Sequence, residues 1–259
     1  MKPIERLKTI ALEAGKLVRE GYHASKTIHH KGVVDLVTDY DVRVEELILK
    51  RLVEHFPEYT HVGEESYQGT YDHARAIYID PIDGTTNFVH GIPHLGISLG
   101  LWEEGHPMLA VVYNPILGEL FWAEAGGGAY LNDTPLHVST QADLQQALIG
   151  TGFPYAKVEQ GAEYHWVIDR LTSLLPHIRD IRRLGAAAID LCYLAQGKID
   201  AFYEIDLMPW DDAAGILIVQ EAGGKVSDLT GGKYALGGKG IVASNGRVHE
   251  ALLSHMKPI

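Results

Sequence analysis

The hydrophobic positions near the N-terminus follow the spacing of helices. Apolar side chains recur every three or four residues from 4 to 21, and again from about 42 to 56, where Pro57 interrupts the pattern. Positions three and four apart share one side of a helix, so each segment is predicted to form a helix with one buried face. Thr38 or Asp39 precedes the second helix and is suited to cap its start.

From residue 61 the pattern changes to short apolar runs, separated in several places by glycine-containing turns, which predicts a mostly antiparallel meander. The runs are HVG, AIYID, LGISLGLW, PMLAVVYN, ELFWAEA and GAYLN. Later patterns predict helices over 159–175, 185–197 and 209–222, a strand over 201–205, the strands KVSDL and GIVASN, and a closing helix from about Arg247. This order favours sheets layered between helices. We expect a single domain over 1–259, with an N-terminal half at 1–145 and a C-terminal half at 146–259.

Composition and charge narrow the class of protein. The 259 residues include 22 basic and 34 acidic side chains, a net charge of −12, which argues against a protein that coats nucleic acid. Cys192 is the only cysteine and lies in an apolar run, which predicts a buried, inert thiol and excludes an intrachain disulfide. No apolar stretch approaches the roughly 18 residues of a membrane span, and the charged N-terminus is unlike a signal peptide. We therefore expect a cytoplasmic protein without a nucleic-acid or membrane partner.

Three acidic clusters mark the candidate chemistry: GEES at 63–66, DPIDGTTNF at 80–88 and WDDAAG at 210–215. Asp80 ends an apolar strand-like run, where a lone carboxylate is costly unless a positive group compensates it. Pro81 cannot donate to a strand ladder, so the sheet is predicted to open at this point. Asp83, three residues further on, can aim at the same point as Asp80.

The residues after Asp83 are suited to phosphate. Gly84 permits close backbone approach, and residues 85–87 can begin a helix, whose first N–H groups attract anions. Paired carboxylates beside a phosphate seat predict Mg²⁺ or Mn²⁺ bridging to a phosphate group. On these residues alone, a plain turn rich in Asp, Pro, Gly and Asn is the alternative.

These motifs, in this order, resemble those of the inositol monophosphatase family. The resemblance includes DLVTDYD at 35–41 and RRLGAAA at 182–188, and so runs the length of the chain. It implies a layered α/β/α/β/α sandwich, usually a homodimer, and a lithium-sensitive, Mg²⁺-dependent phosphatase. The implied reaction is hydrolysis of inositol monophosphate, a small phosphate ester, to inositol and phosphate by direct attack of a metal-activated water.

The resemblance also implies site residues. One Mg²⁺ would be held by Glu64, Asp80 and the Ile82 carbonyl, and a second by Asp80, Asp83 and Asp211. Two or three Mg²⁺ per site are implied, with Mn²⁺ as a substitute. Thr85 matches the hydroxyl that orients the attacking water together with Glu64. The remaining matches are the phosphate-binding N–H groups of Gly84 and Thr85, and the substrate contacts Asp83, Gly185, Ala187, Glu204 and Asp211.

Several residues have two interpretations at this stage. Asp41 is either a helix cap or a residue close to the metals, and Lys31 is either a surface lysine or a basic residue above them. Glu65 and Asp212 are expected to be solvated or to lie behind the ligands. Ala186 departs from the family, in which Ser or Thr is common at this position, and this predicts looser sugar recognition.

Two other functions remain open. Fructose 1,6-bisphosphate or other small phosphate esters are alternative substrates for the same chemistry. A regulatory binding protein that keeps the fold without turnover is the alternative from another class. Such a protein is expected to have lost at least one ligand carboxylate, and this chain retains all four: Glu64, Asp80, Asp83 and Asp211.

Overall fold

The structure is a computed structural model that describes residues 1–30, 36–69 and 74–256. The helices are α1 (Pro3–His23), α2 (Asp39–His55), α3 (Thr85–His90), α4 (Ala162–Leu174), α5 (Ala187–Ala195), α6 (Pro209–Glu221) and α7 (His249–Leu253). The strands are β1 (Ile28–His30), β2 (Leu36–Thr38), β3 (Thr60–Gly63), β4 (Arg75–Asp83), β5 (Gly96–Glu103), β6 (His106–Asn114), β7 (Glu119–Glu124), β8 (Gly128–Leu131), β9 (Thr134–Pro135), β10 (Leu148–Thr151), β11 (Asp180–Arg182), β12 (Ala201–Ile205), β13 (Lys225–Asp228) and β14 (Gly240–Ser244). Lys31 lies outside the described residues.

The two N-terminal helices confirm the sequence prediction. α1 and α2 pack on each other and on one face of a sheet, and each buries its apolar side there. α2 begins at Asp39, three residues earlier than the apolar pattern indicated. The reason is a capping box: the Thr38 side chain accepts a hydrogen bond from the Tyr40 N–H, and Asp41 accepts one from the Thr38 N–H.

Strands β3 to β9 form one seven-stranded sheet in chain order. β3 runs parallel to β4, and every other neighbouring pair is antiparallel, which confirms the predicted meander. The middle strands are buried on both faces because helices cover the sheet on both sides. A strand that is buried on both faces has a continuous run of apolar residues in its sequence, and the run LGISLGLW, most of which forms β5, is an example.

The predicted opening of this sheet at Pro81 is wrong on one side. β4 continues through Pro81 and still pairs with β5 at Asp83, and a bulge absorbs the residues between Asp80 and Asp83. Toward β3 the ladder ends one residue before Asp80, so the strand is open only on that side. A bulge tolerates a residue without an N–H and re-aims the side chains beside it, which is why the strand survives a central proline.

A second, five-stranded sheet has the order β11-β10-β12-β14-β13. β10 is parallel to both of its neighbours, and the other pairs are antiparallel. The predicted strands β12, β13 and β14 are confirmed. β10 and β11 were not predicted, because each has only three or four residues, too few to establish a period.

The layers follow the order helix, sheet, helix, sheet, helix, which confirms the expected sandwich. α1 and α2 cover the seven-stranded sheet, α5 and α6 lie between the sheets, and α4 and α7 cover the outer face of the five-stranded sheet. α6 is buried almost all round because it packs between two sheets, in agreement with its run AAGILIV. In the part of the chain that the structure describes, no helix is long and apolar enough to cross a membrane. The division at residue 145 stays a prediction.

Candidate active site

The bulge in β4 and the start of α3 bring the second acidic motif to one point. Asp80 and Asp83 are 2% and 6% exposed, and Gly84 follows them in the left-handed conformation, with a φ of 91°. Glycine adopts this conformation readily, and a Cβ at Gly84 would lie only 3.1 Å from the His94 carbonyl oxygen. The glycine therefore lets the chain turn from a buried strand directly into a helix that starts at Thr85.

Four carboxylates repel one another at this point. Burial raises the pKa of Asp80 well above its usual value, and the charges of Glu64, Asp83 and Asp211 raise it further. The pKa of Asp211 is raised in the same way, first by burial and then by Glu64 and Asp83. Burial raises the pKa of Asp83 to about 7, and the charge of Asp190 adds to this effect. Carboxylates in this state are stabilised by any cation that enters among them.

Asp41 adds a buried carboxylate from α2. Its Oδ2 accepts hydrogen bonds from the N–H and the hydroxyl of Thr38, at 2.8 and 2.5 Å. Its Oδ1 accepts a hydrogen bond of 2.8 Å from the hydroxyl of Thr85, which also lies 3.1 Å from the Ile82 carbonyl oxygen. Burial raises the pKa of Asp41, whereas these hydrogen bonds oppose the rise. Asp41 thus caps α2, as one interpretation predicted, and accepts a hydrogen bond from the Thr85 hydroxyl at the same time. Its position close to metal ions stays a prediction.

Asp83 also holds the start of α5. Its Oδ1 accepts a hydrogen bond from the Ala187 N–H at 3.1 Å, and its Oδ2 accepts one from the Ala188 N–H at 2.7 Å. Ala186 stands at the capping position of α5 and has no side chain that can cap it. The carboxylate of Asp83, which belongs to the seven-stranded sheet, therefore caps this helix. The Ala187 N–H is thus engaged with Asp83, and the substrate contact that the family resemblance implies for Ala187 stays a prediction.

A cavity of about 660 Å³ opens beside these groups, which is the size of many small-molecule sites. Seven of the ten predicted site residues line it: Asp83, Gly84, Thr85, Gly185, Ala187, Glu204 and Asp211. The other three, Glu64, Asp80 and Ile82, are not among the residues that line it. Asp80 accepts a hydrogen bond from the Ile82 N–H at 3.0 Å, and Glu64 follows β3 beside the end of β4.

Glu204 reaches this cavity from β12. Its carboxylate lies against Gly152, just beyond β10, and a Cβ on Gly152 would overlap it. Burial raises the pKa of Glu204 to about 8; the charge of Asp190 adds to this rise and the charge of Arg183 opposes it. A carboxyl group can meet a hydroxyl in either protonation state, because it accepts when ionised and also donates when protonated.

Comparison with known proteins decides the family. The model of the inositol monophosphatase family matches residues 2–259. The chain belongs to this family. It is 39% identical to Inositol monophosphatase 3 of Solanum lycopersicum over 264 residues, with 96% of each chain covered. It is also 41% identical to Nus factor SuhB of Escherichia coli K12, with 95% of this chain and 92% of the relative covered.

Solved structures of family members share the whole fold. The extragenic suppressor protein SuhB of Bartonella henselae superposes with a TM-score of 0.91 at 36% identity, with 98% of this chain and 97% of that chain covered. The IMPase of Thermotoga maritima superposes with a TM-score of 0.89 at 32% identity, with 98% and 96% covered. The protein is therefore an enzyme, a phosphatase of the inositol monophosphatase family.

Members of this family generally depend on metal ions, and the residues here fit such an ion by their chemistry. Within 1–30, 36–69 and 74–256, no group of three or more His, Cys, Asp or Glu side chains is arranged so that it could hold a metal ion as it stands. Carboxylate and carbonyl oxygens are nevertheless the ligands that Mg²⁺ prefers. Burial and mutual repulsion raise the pKa values of Asp80 and Asp211, and a nearby cation would favour their ionised forms. We therefore expect a cation to draw these side chains together.

Glu45 supports the loop that bears Glu64, and the sequence patterns did not predict this role. Glu45 is 2% exposed, and its carboxylate accepts a hydrogen bond from the Glu65 N–H at 2.8 Å. A signal for it was present, since Asp41 and Glu45 interrupt the apolar face of α2 that Ile48 continues. Buried charges at core positions are rare without a partner, so this interruption indicated a structural or functional role.

A second missed group joins α3 to α5. The Asn87 side chain donates to the carbonyl oxygens of His94 and Leu184, at 2.6 and 2.9 Å. The His94 Nε2 lies 2.9 Å from Asp190 Oδ1, and both side chains are buried. No local spacing marks this group, because Asn87 and His94 lie nearly a hundred positions before their partners Leu184 and Asp190 in the chain.

The environment of Asp212 corrects one expectation. Asp212 is fully buried, so the solvated alternative is wrong, and burial raises its pKa to about 7. The nearby Tyr234 hydroxyl opposes this rise in the pKa of Asp212. Within the described residues, however, the Asp212 carboxylate and the Tyr234 hydroxyl have no hydrogen bond of ordinary geometry. Cys192 is buried, as predicted.

Proposed function

We propose that the protein is a Mg²⁺-dependent phosphomonoesterase that hydrolyses inositol monophosphate to inositol and phosphate. The observation that carries this proposal is a cluster of buried, mutually repelling carboxylates beside the turn from Gly84 to Thr85, in a cavity of about 660 Å³. Clustered carboxylates suit divalent cations, and the N–H groups at the turn suit a phosphate. A metal-bound phosphate ester satisfies both.

The proposed ligands are oxygen atoms only. Glu64, Asp80 and the Ile82 carbonyl would hold one Mg²⁺, and Asp80, Asp83 and Asp211 would hold another. The same ligands suit Mn²⁺, and a third ion is compatible with them. When bound, such ions lower the pKa of a water and stabilise negative charge on the phosphate and the leaving alcohol.

The chain itself supplies the path for the proton. Glu64 and the Thr85 hydroxyl orient the attacking water. The Thr85 oxygen accepts a proton from this water, and Thr85 passes its own hydroxyl proton to Asp41 Oδ1, which lies 2.8 Å from the Thr85 oxygen. Burial raises the pKa of Asp41, which favours its acceptance of a proton. The Gly84 and Thr85 N–H groups would hold the phosphate in place for in-line attack.

The alcohol half of the substrate would lie against the other residues of the cavity. Gly185, Ala187 and Glu204 line it, and Glu204 carries the polar group suited to a ring hydroxyl. Fructose 1,6-bisphosphate and other small phosphate esters are the alternative substrates for the same machinery. A homodimeric assembly and a cytoplasmic location remain predictions.

A regulatory role is the second candidate function. The observation that favours it is the 41% identity to Nus factor SuhB of Escherichia coli. All four ligand carboxylates are retained, so we propose that any such role is additional to turnover and does not replace it.

The deciding experiment is a phosphate-release panel with the purified protein. Inositol 1-phosphate, fructose 1,6-bisphosphate, glycerol 2-phosphate and a nucleotide are compared, each with Mg²⁺ and after dialysis against EDTA. We expect inositol 1-phosphate to be hydrolysed only with Mg²⁺, and circular dichroism to show an intact fold in EDTA. Full activity in excess EDTA, or no hydrolysis of any ester, would contradict the proposal.

A further inference from the structure

Two buried carboxylates lie one turn apart on α2. Asp41 accepts a hydrogen bond of 2.8 Å from the Thr85 hydroxyl, and Glu45 accepts one of 2.8 Å from the Glu65 N–H. Positions four apart share one side of a helix, so both carboxylates point toward the seven-stranded sheet. The single helix α2 therefore contacts both of the segments that carry the proposed water-orienting groups, Thr85 and Glu64.

Glu64 lies at the point where the sheet stops fixing the chain. β3 is an edge strand, and its ladder with β4 ends at the pair of Gly63 and Ile79. The Glu64 N–H still donates to the Ile79 carbonyl oxygen at 3.1 Å, but the next N–H along the chain, that of Glu65, donates to Glu45. The Glu45 carboxylate thus replaces the sheet as the acceptor that holds this loop.

The Glu45 carboxylate also packs against the backbone of Gly63. A Cβ on Gly63 would lie 2.5 Å from the carboxylate carbon and from Oε2 of Glu45, and 2.8 Å from Oε1. Atoms at these distances overlap, so a side chain at position 63 would push the carboxylate aside. The backbone of Gly63 lies outside the left-handed region, so the glycine is required by the contact with Glu45 and not by its own conformation.

A carboxylate at position 45 is costly for the fold. Glu45 is 2% exposed, and within the described part of the chain no lysine, arginine or histidine forms an ion pair with it. An apolar side chain would fill the same core position without the cost of burying a charge. The carboxylate is therefore explained by the loop that it holds and not by the stability of the core.

We propose that Glu45 is a positioning residue for the active site. Its carboxylate, through the Glu65 N–H and its contact with Gly63, fixes Glu64 relative to Thr85 and so sets the affinity of the site for divalent cations. This inference rests on the proposed function, in which Glu64 holds a metal ion and orients the attacking water with Thr85. Glu45 itself is assigned no contact with the substrate or with a metal ion.

Two variants separate the position of the carboxylate from its charge. Glu45→Gln keeps an oxygen that can accept from the Glu65 N–H and removes the charge, whereas Glu45→Asp keeps the charge and withdraws the carboxylate from this N–H. The affinity for Mn²⁺ is measured without substrate, from the electron paramagnetic resonance signal of the free ion. We expect the dissociation constant to rise at least about tenfold in Glu45→Asp and less than about threefold in Glu45→Gln, since groups that orient a metal ligand contribute about 10- to 100-fold.

Glu46→Asp is the matched control. Glu46 is the next residue on α2 and is exposed, so the same shortening there should leave the Mn²⁺ affinity unchanged. Circular dichroism in EDTA verifies that each variant keeps its fold. An unchanged Mn²⁺ affinity in Glu45→Asp would overturn the inference. Equal losses in Glu45→Asp and Glu45→Gln would overturn it as well, because they would assign the effect to charge and not to position.

A change at Gly63 tests the second contact of the Glu45 carboxylate. Gly63→Ala would displace this carboxylate in the otherwise unchanged protein, and we expect it to weaken Mn²⁺ binding at least about tenfold. In Glu45→Asp the shorter side chain leaves room for the new methyl group, so the same alanine should weaken binding by less than about threefold further. Fully additive losses would overturn the inference, because they would show that Gly63 and Glu45 act independently.

Because Mn²⁺ binding does not depend on turnover, this inference and the proposed function can fail separately. The kcat/KM for inositol 1-phosphate with Mg²⁺ is expected to fall in Glu45→Asp and Gly63→Ala and to be largely kept in Glu45→Gln. If no ester is hydrolysed but the Mn²⁺ affinities differ as stated, the proposed function fails and the positioning role stands. If inositol 1-phosphate is hydrolysed and the folded variants all bind Mn²⁺ equally, the positioning role fails and the proposed function stands.

Discussion

Two walls of the cavity are built in different ways. The strand wall, residues 83–85, carries its polar groups where a central strand passes into a helix, and Asp83 is almost completely buried there. The loop wall, residues 152–157 and 183–187 together with Glu204, carries its polar groups mainly on connecting segments. On this wall Arg183 is exposed. The proposed chemistry, which needs fixed distances, is thus placed on regular structure, and the proposed recognition of the alcohol is placed on segments that tolerate change.

The walls are nevertheless joined at Asp83. Asp83 is the last residue of β4 and belongs to the strand wall, and its carboxylate caps α5, the helix that begins at Ala187 in the loop wall. The pair of His94 and Asp190 lies beside the same helix start. A change at Asp83 is therefore expected to affect both walls, whereas a change at Glu204 is expected to affect only one.

Asp83→Asn is predicted to have the largest effect. The amide keeps an oxygen that can accept a hydrogen bond from α5 but loses the charge proposed to hold the second Mg²⁺. We expect kcat/KM for inositol 1-phosphate to fall at least about 100-fold, or about 2.7 kcal/mol, in a phosphate-release assay. A variant that kept more than about a tenth of the wild-type rate would remove Asp83 from the proposed ligands.

The same variant separates activity from stability. The pKa of Asp83 in the folded protein is about 7, above its usual value of 3.8, so the metal-free wild type loses stability as pH rises between these values. Asn carries no charge and avoids this loss. We expect the melting temperature of Asp83→Asn in EDTA near pH 8 to be no lower than that of the wild type. Asp143→Asn, at an exposed carboxylate that caps a short turn, serves as the control for activity.

Glu204→Ala should affect the loop wall alone. If the Glu204 carboxylate binds a ring hydroxyl, its loss should lower kcat/KM for inositol 1-phosphate by roughly 10- to 150-fold, the range of a charged hydrogen bond. Glycerol 2-phosphate has no ring and should lose little. Equal losses on the two esters would mean that Glu204 supports the metal site or the fold.

The pH dependence sharpens this assignment. The pKa of Glu204 is raised to about 8, and an ionised carboxylate is the stronger acceptor for a hydroxyl. The ratio of kcat/KM for inositol 1-phosphate to that for glycerol 2-phosphate should therefore rise severalfold from about pH 6.5 to about pH 9.5. In Glu204→Gln this ratio should not change with pH, and a rise that persists there would assign the titration to another group.

The sequence predicted the strand wall better than the loop wall, for a physical reason. Asp80, Asp83 and Gly84 form one contiguous motif, so their local chemistry could be interpreted without knowing the fold. The bulge at Pro81 could not be predicted, because it depends on the partner strand β5. The contact of Arg183 with Phe153 joins separate loops, and such pairings become visible only when the sheets are assembled.

Lithium should inhibit by a smaller factor than these substitutions. A small monovalent cation fits the oxygen ligands of Asp80, Asp83 and Asp211 but supplies half the charge that the leaving group requires. We expect at least about half of the Mg²⁺-dependent activity to be lost in tens of millimolar Li⁺, an order-of-magnitude concentration for a weak oxygen site. Equal concentrations of K⁺ control for ionic strength, and identical rates in the two salts would contradict the proposed second ion site.

Ala186→Ser should have the smallest effect and tests how the walls are joined. A serine at this position would normally cap α5 and stabilise the protein by about 1 kcal/mol. Here the N–H groups of Ala187 and Ala188 already donate to Asp83, so we expect the free energy of unfolding to change by less than about 0.5 kcal/mol. In an Asp83→Ala background those N–H groups lose their acceptor, and the same serine should then add about 1 kcal/mol in urea unfolding without restoring activity. An equal gain in both backgrounds would show that Asp83 does not cap α5, and the two walls would then be independent.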